Sequence, residues 1–145
     1  MYRFNLQVLL DYRKRVEEGI QIELSHVQRK LEEEKQLVIS YREEKNFYEE
    51  ELLRREEREI DVEEGILYRD YLKGMRAKIK KQEEIVARMR VELDKKREEL
   101  LAVTKNRKIL EKVKEKDWEK FARELARREG MFIDEVGIRG YLRNM

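Results

Sequence analysis

Residues 20–52 read IQIELSHVQRKLEEEKQLVISYREEKNFYEEEL. Steps of alternately four and three along them meet Ile20, Leu24, Val27, Leu31, Glu34, Val38, Tyr41, Lys45, Tyr48 and Leu52, most of them apolar. Residues 68–110, YRDYLKGMRAKIKKQEEIVARMRVELDKKREELLAVTKNRKIL, repeat the pattern. There the positions are Tyr68, Leu72, Met75, Ile79, Gln82, Val86, Met89, Leu93, Lys96, Leu100, Val103, Arg107 and Leu110. A 3.5-residue repeat keeps one stripe of an α-helix turned toward a partner helix, which is the condition for a coiled coil. No proline interrupts the 145 residues. The pattern predicts an all-α, rod-like fold built as a long antiparallel two-helix coiled-coil hairpin. It forms a single coiled-coil domain over 1–145.

In an antiparallel hairpin the a positions of one helix face the d positions of the other. That rule is met by pairing Leu52 with Met75, Tyr48 with Ile79, Lys45 with Gln82, Val38 with Met89, Val27 with Leu100 and Leu24 with Val103. A shift of one heptad would meet it as well. The reversal then falls near Glu63 and Glu64. Gly65 is the one glycine between Gly19 and Gly74 and is suited to the left-handed residue that closes a helix. Helix 1 is expected over about 3–60, the turn over about 60–66 and helix 2 over about 67–129, leaving a C-terminal segment 130–145. Leu6 would lie opposite Phe121, so the residues after about Arg123 overhang the N-terminus. Gly130, Gly137 and Gly140 weaken helix there, so that end is expected to be mobile or ordered by a partner. Near the N-terminus Leu6, Leu9, Leu10, Val16 and Ile20 do not hold one 4-3 count, a phase slip that changes local supercoiling.

Composition narrows what such a chain can do. Charged residues make up 47% and hydrophobic ones 40%. That much charge belongs on the solvated faces of helices rather than inside a globule. The 35 basic and 33 acidic residues leave a net charge of +2, whereas phosphate binding calls for a basic stripe, so no nucleic-acid partner is expected. With no cysteine there is no disulfide framework and no thiolate metal site. The lone His26 lies at an outward position and reads as a solvated side chain. No apolar run approaches the ~20 residues of a membrane span, and no signal-peptide core is evident. A cytoplasmic protein is expected. No cofactor, metal or catalytic site is called for, because the chain lacks a phosphate loop, a metal-binding His pair and a nucleophile beside a base. The runs Glu32–Glu34 and Glu49–Glu51 read as solvated faces pairing with basic residues one turn away.

The defects of the pattern carry more information. Glu34, Lys45, Gln82, Lys96 and Arg107 stand at seam positions, where long side chains reach water from the seam and help fix register. Off the seam lie Phe47, Leu53, Leu67, Tyr71, Ile85, Val91 and Leu101. The hairpin brings Phe47, Leu53, Tyr68 and Tyr71 within a few turns of one another, and aromatics on a charged surface are candidate docking anchors, the alternative being incidental exposure.

The opening Phe4-Asn5-Leu6-Gln7-Val8-Leu9-Leu10-Asp11-Tyr12-Arg13 resembles the start of the flagellar export protein FliJ family. Also similar are Tyr71-Leu72, the run Arg107-Lys108-Ile109-Leu110-Glu111-Lys112-Val113-Lys114-Glu115-Lys116, and Glu129 followed by Asp134-Glu135. The glycines at 130, 137 and 140 depart from the charged helical tail of that family. The resemblance implies a non-enzymatic component of the flagellar type III export apparatus. It would be a stalk associated with the hexameric flagellar export ATPase, the membrane export-gate protein and export chaperones. It would be monomeric when free and held peripherally at the inner membrane at the flagellar base. The related stalk of a virulence secretion system is the nearest alternative. A structural homo-oligomer and a nucleic-acid-binding arm using Arg76, Lys78, Lys80, Lys81, Lys105, Arg107 and Lys108 are more distant ones. Two contact sets follow as expectations. Phe4, Leu6, Leu9, Leu10, Arg13, Trp118, Phe121, Arg127 and Arg128 would meet the ATPase ring. Tyr41, Phe47, Tyr48, Tyr68 and Tyr71 would dock the gate or chaperones.

Overall fold

The computed structural model describes residues 1–144. Helix α1 spans Gln7–Glu57 (51 residues) and helix α2 spans Val62–Arg143 (82 residues). The described residues contain no strand, and the all-α antiparallel hairpin expected from the repeat is what forms. Contacts divide the chain into a turn unit, Ile20–Glu99, and a terminal unit, Met1–Gly19 with Leu100–Met145.

In the turn unit every seam position from Ile20 to Leu52 and from Tyr68 to Lys96 is buried or half-buried. Leu31, Val38, Val86 and Leu93 form its centre, with Leu24, Val27 and Met89 packed around them. The exchange of water for apolar neighbours along this stripe is what holds two mostly charged helices together.

The reversal is shorter and earlier than Gly65 suggested. Helix α1 closes with the Arg58 amide donating to the Arg55 carbonyl at 3.0 Å, and Glu59 takes the left-handed conformation at φ 59°. Asp61 then starts α2, its carbonyl accepting from the Gly65 amide at 3.0 Å. Glu63 and Glu64 occupy the first turn, where carboxylates meet the positive end of the helix dipole. Gly65 is therefore a helical residue, buried beside Ile60. The signal that outweighs it is Asp61-Val62-Glu63-Glu64, an acidic residue followed three positions later by Glu at a helix start.

Moving the turn moves the register by about one heptad. Tyr48 packs on Tyr71 with ring centroids 4.9 Å apart, rather than opposite Ile79. Gln82 bonds Glu34 rather than Lys45, and Lys45 lies 3.8 Å from Glu49 on its own helix. Lys96 Nζ sits 2.7 Å from Glu23 and 3.0 Å from Glu99. In this register the polar seam residues Gln82, Lys96 and Arg107 each reach a carboxylate, which keeps their polar ends from going unpaired.

In the terminal unit the shielded positions of α1 are Gln7, Leu10, Arg13, Val16 and Glu17, so its stripe takes in two charged residues beside Val16, while Leu6 and Leu9 stay exposed. Glu17 is matched to Arg107, the Nε donating to its carboxylate at 2.5 Å while Nη1 reaches Glu111 at 2.7 Å. These two carboxylates push the Arg107 guanidinium still higher than its ordinary range. Leu10 is 1% exposed, the most completely buried side chain.

Two further boundaries differ from expectation. Residues 1–6 precede α1, because Tyr2 folds onto α2. The C-terminal segment is helical through Arg143 despite its glycines, none of which takes a positive φ. Glycine costs about 1 kcal/mol against alanine in a helix, and ion pairs Glu124–Arg127, Glu124–Arg128 and Glu135–Arg139 one turn apart offset part of that. As expected from the overhang, residues 123–139 are exposed throughout.

Candidate interaction surfaces

Two aromatic clusters stand out from the charged helices, one in each unit. In the terminal unit the Tyr2 ring meets Trp118 edge-on at 5.1 Å and Phe121 at 5.3 Å, and Trp118 stacks on Phe121 at 5.9 Å. Such pairs attract through the ring quadrupoles as well as by burial. The Tyr2 hydroxyl donates to Asp117 Oδ2 at 3.0 Å and lies 3.4 Å from the Lys114 carbonyl. Desolvation first, then the Asp117 carboxylate, raises its phenol above the usual range. Tyr2 thus ties the start of the chain to α2, a role that the repeat could not reveal because the residue lies outside the helix.

Around this latch the expected ring-contact residues separate by role. Phe4, Arg13 and Phe121 are half-buried, and Leu10 is wholly interior, so it supports the end without offering a surface. Leu6, Leu9 and Trp118 keep exposed faces. Arg127 and Arg128 lie on the bare stretch of α2, each paired with Glu124. Further along it Met131, Phe132, Ile133, Val136, Ile138, Tyr141 and Leu142 are all exposed.

In the turn unit Tyr48 is the hub. It packs against Phe47 at 5.2 Å, Tyr71 at 4.9 Å and Tyr68 at 6.5 Å. The Arg55 guanidinium stands 5.5 Å above the Tyr68 ring, a cation–π contact. Tyr71 donates to Glu44 Oε1 at 2.5 Å, and that hydrogen bond, with desolvation, pushes its phenol up to about 12. Phe47, Leu53, Ile66 and Leu67 remain more than half exposed. Four of the five residues expected to dock here therefore meet. Tyr41 stands apart, its ring covered by Lys78 Nζ at 4.3 Å.

Among the described residues no group of His, Cys, Asp or Glu could hold a metal ion. His26 is exposed, with Nδ1 2.6 Å from Arg29 Nη2. No helix among the described residues is long and apolar enough to cross a membrane. What both clusters offer is a partly covered aromatic surface with an ionic rim, the usual make-up of a protein-binding hot spot.

Comparison with known proteins gives one match. The family model described as Flagellar FliJ protein covers residues 2–145. Searches of curated proteins and of solved structures each return no match.

Proposed function

Because the chain belongs to the flagellar FliJ family, a family of coiled-coil proteins related to flagellar export, we propose that it acts without chemistry of its own as a stalk of the export apparatus. Its terminal unit meets the ring of the hexameric export ATPase. Its turn unit docks on the membrane export gate and on export chaperones, which brings the protein to the inner membrane at the flagellar base as a peripheral component. The secretion system served is the flagellar type III apparatus rather than a virulence system.

The observation that carries this reading is the Tyr2–Trp118–Phe121 latch. It fixes the start of the chain to α2 and leaves the following turns of α2, with Leu125, Arg127, Arg128 and Phe132, without a covering helix. A helix that ends in exposed apolar and basic side chains suits insertion among subunits of a ring. The rigid aromatics around Tyr48 suit a second, separate partner, because rings lose little entropy when they are fixed.

Substitution of the two clusters separates the two contacts. Leu9→Asp, Arg127→Glu, Arg128→Glu should abolish stimulation of the purified ATPase while leaving gate binding intact. Phe47→Ala, Tyr48→Ala, Tyr71→Ala should do the reverse, with helicity followed by circular dichroism in both. If the terminal variant stays helical and stimulates the ATPase normally, the ring contact lies elsewhere.

A further inference from the structure

The seam of the turn unit fits two registers that lie one heptad apart. The present one is fixed by Tyr48 on Tyr71 and by Gln82 on Glu34. It sets Leu24 beside Lys96, Glu34 beside Val86, Val38 beside Gln82 and Lys45 beside Met75, so that polar and apolar seam residues share layers. A slide of one heptad, ~10.5 Å at 1.5 Å per residue, also keeps a facing d. It sets Leu52 beside Met75, Tyr48 beside Ile79, Lys45 beside Gln82 and Val38 beside Met89. Between Leu31 and Leu52 the mixed layers are then Leu31 with Lys96 and Glu34 with Leu93. By layers alone the second register is the better matched.

Polar ties hold the first. The Gln82 amide, 7% exposed, donates to the Glu34 carbonyl at 3.2 Å and to its carboxylate. Lys96 Nζ reaches Glu23 at 2.7 Å. Arg42 meets Glu83, and Arg76 lies 3.4 Å from Glu49, but these pairs stand in solvent, where each contributes little. The turn is no firmer. Its left-handed residue is Glu59, in a conformation that a Cβ opposes, while Gly65 sits in helix, which glycine disfavours. A slide of one heptad carries the reversal half a heptad toward Glu63. That releases Glu59 and brings Gly65 to the start of α2, where glycine is tolerated as a cap.

We propose that the turn unit is a two-register device, in which Glu34 and Lys96 hold the hairpin one heptad away from a second, well-matched seam. The slide takes Tyr48 from Tyr71 to Ile79, so the aromatic cluster exists in the first register only. A partner seated on that cluster selects the first register, and its departure makes the second accessible. Both helices run on into the terminal unit, where the Glu17–Arg107 pair and the Tyr2–Trp118 contact belong to the first register and part in the second. The inference concerns the hairpin itself and stands whichever partner docks.

The test uses the full chain with introduced thiols and a linker too short to span the ~10.5 Å of a heptad. Arg42→Cys with Glu83→Cys reports the first register, and Arg42→Cys with Arg90→Cys the second. On the otherwise wild-type background the first pair should link within one chain and the second should not. Glu34→Leu, Lys96→Leu cuts both ties and clears the mixed layers of the second register, whereas Val38–Gln82 and Lys45–Met75 stay mixed in the first. In that variant linkage should pass to the second pair, with helicity unchanged by circular dichroism. Glu34→Gln, Lys96→Arg keeps both ties and should keep the first pair. Adding Lys45→Leu to the leucine variant sets leucine on Met75 in the first register and on Gln82 in the second, so linkage should return toward the first pair. Linkage of the leucine variant confined to the first pair would overturn the proposal. So would loss of both linkages with helicity retained, which would mark some other arrangement of the helices.

Discussion

Single residues set the ends of this hairpin more than the repeat does. Tyr71 illustrates how a surface aromatic becomes fixed: its hydroxyl donates to Glu44 and its ring packs on Tyr48. An unfolded tyrosine titrates near ~10, whereas Tyr71 is pushed up to about 12. Folding therefore favours the neutral phenol. This contribution is complete below the unfolded value and is lost as pH rises through the folded one. In an alkaline titration followed by tyrosinate absorbance, the difference between wild type and Tyr71→Phe should have its midpoint near 12; a midpoint near the ordinary value would mean that the Glu44 bond does not persist in solution. Tyr2 can be followed through the one tryptophan of the chain. Tyr2→Ala removes the ring that stands on Trp118, so the emission should move to the red. Unchanged emission would show that the N-terminus is not latched there.

The two helices were legible because periodicity states which face must leave water, and every position of the long seams is indeed shielded. The turn was not, because the acidic start of α2 at Asp61 outweighs the glycine that follows it. The left-handed residue is Glu59, while Gly65 lies in the first turn of α2. Substitution separates the two placements by sign. A Cβ at Gly65 would meet Ile60 Cδ1 at 3.4 Å, the far end of a flexible side chain, so Gly65→Ala should stabilise by up to about 1 kcal/mol through helix propensity. At a left-handed turn residue the same change would destabilise. Glu59→Gly should also raise the melting temperature, because a side chain at positive φ costs ~1 kcal/mol. The N-terminal seam was hidden for another reason. Its stripe takes in Arg13 and Glu17 beside Val16, and a search for apolar positions passes over the two charges. The pairing of Glu17 with Arg107, itself a seam residue, accounts for a charge at that position. Of the candidate surfaces, the Tyr48 cluster followed from helical spacing, whereas Tyr2 lay outside any helix and so outside the reach of periodicity.

For the molecule as a whole, register decides which residues each unit presents. The chain has no cysteine, so introduced pairs report cleanly. A short thiol cross-linker should join Glu23→Cys to Lys96→Cys, whose native side chains meet at 2.7 Å, and should fail to join Glu23→Cys to Thr104→Cys, the pair set by the register one heptad away. Efficient linkage of the second pair would displace the turn toward Glu63. Membership of the FliJ family then turns architecture into an expectation about partners, and the claim with the widest consequences is that the terminal unit acts on the export ATPase. It is tested most directly by titrating the purified chain into that ATPase and following nucleotide hydrolysis. The rate should rise to a plateau with wild type and stay at its basal value with Leu9→Asp, Arg127→Glu, Arg128→Glu. A rate indifferent to the wild-type chain, with no binding between the two, would contradict the account while leaving the hairpin as described.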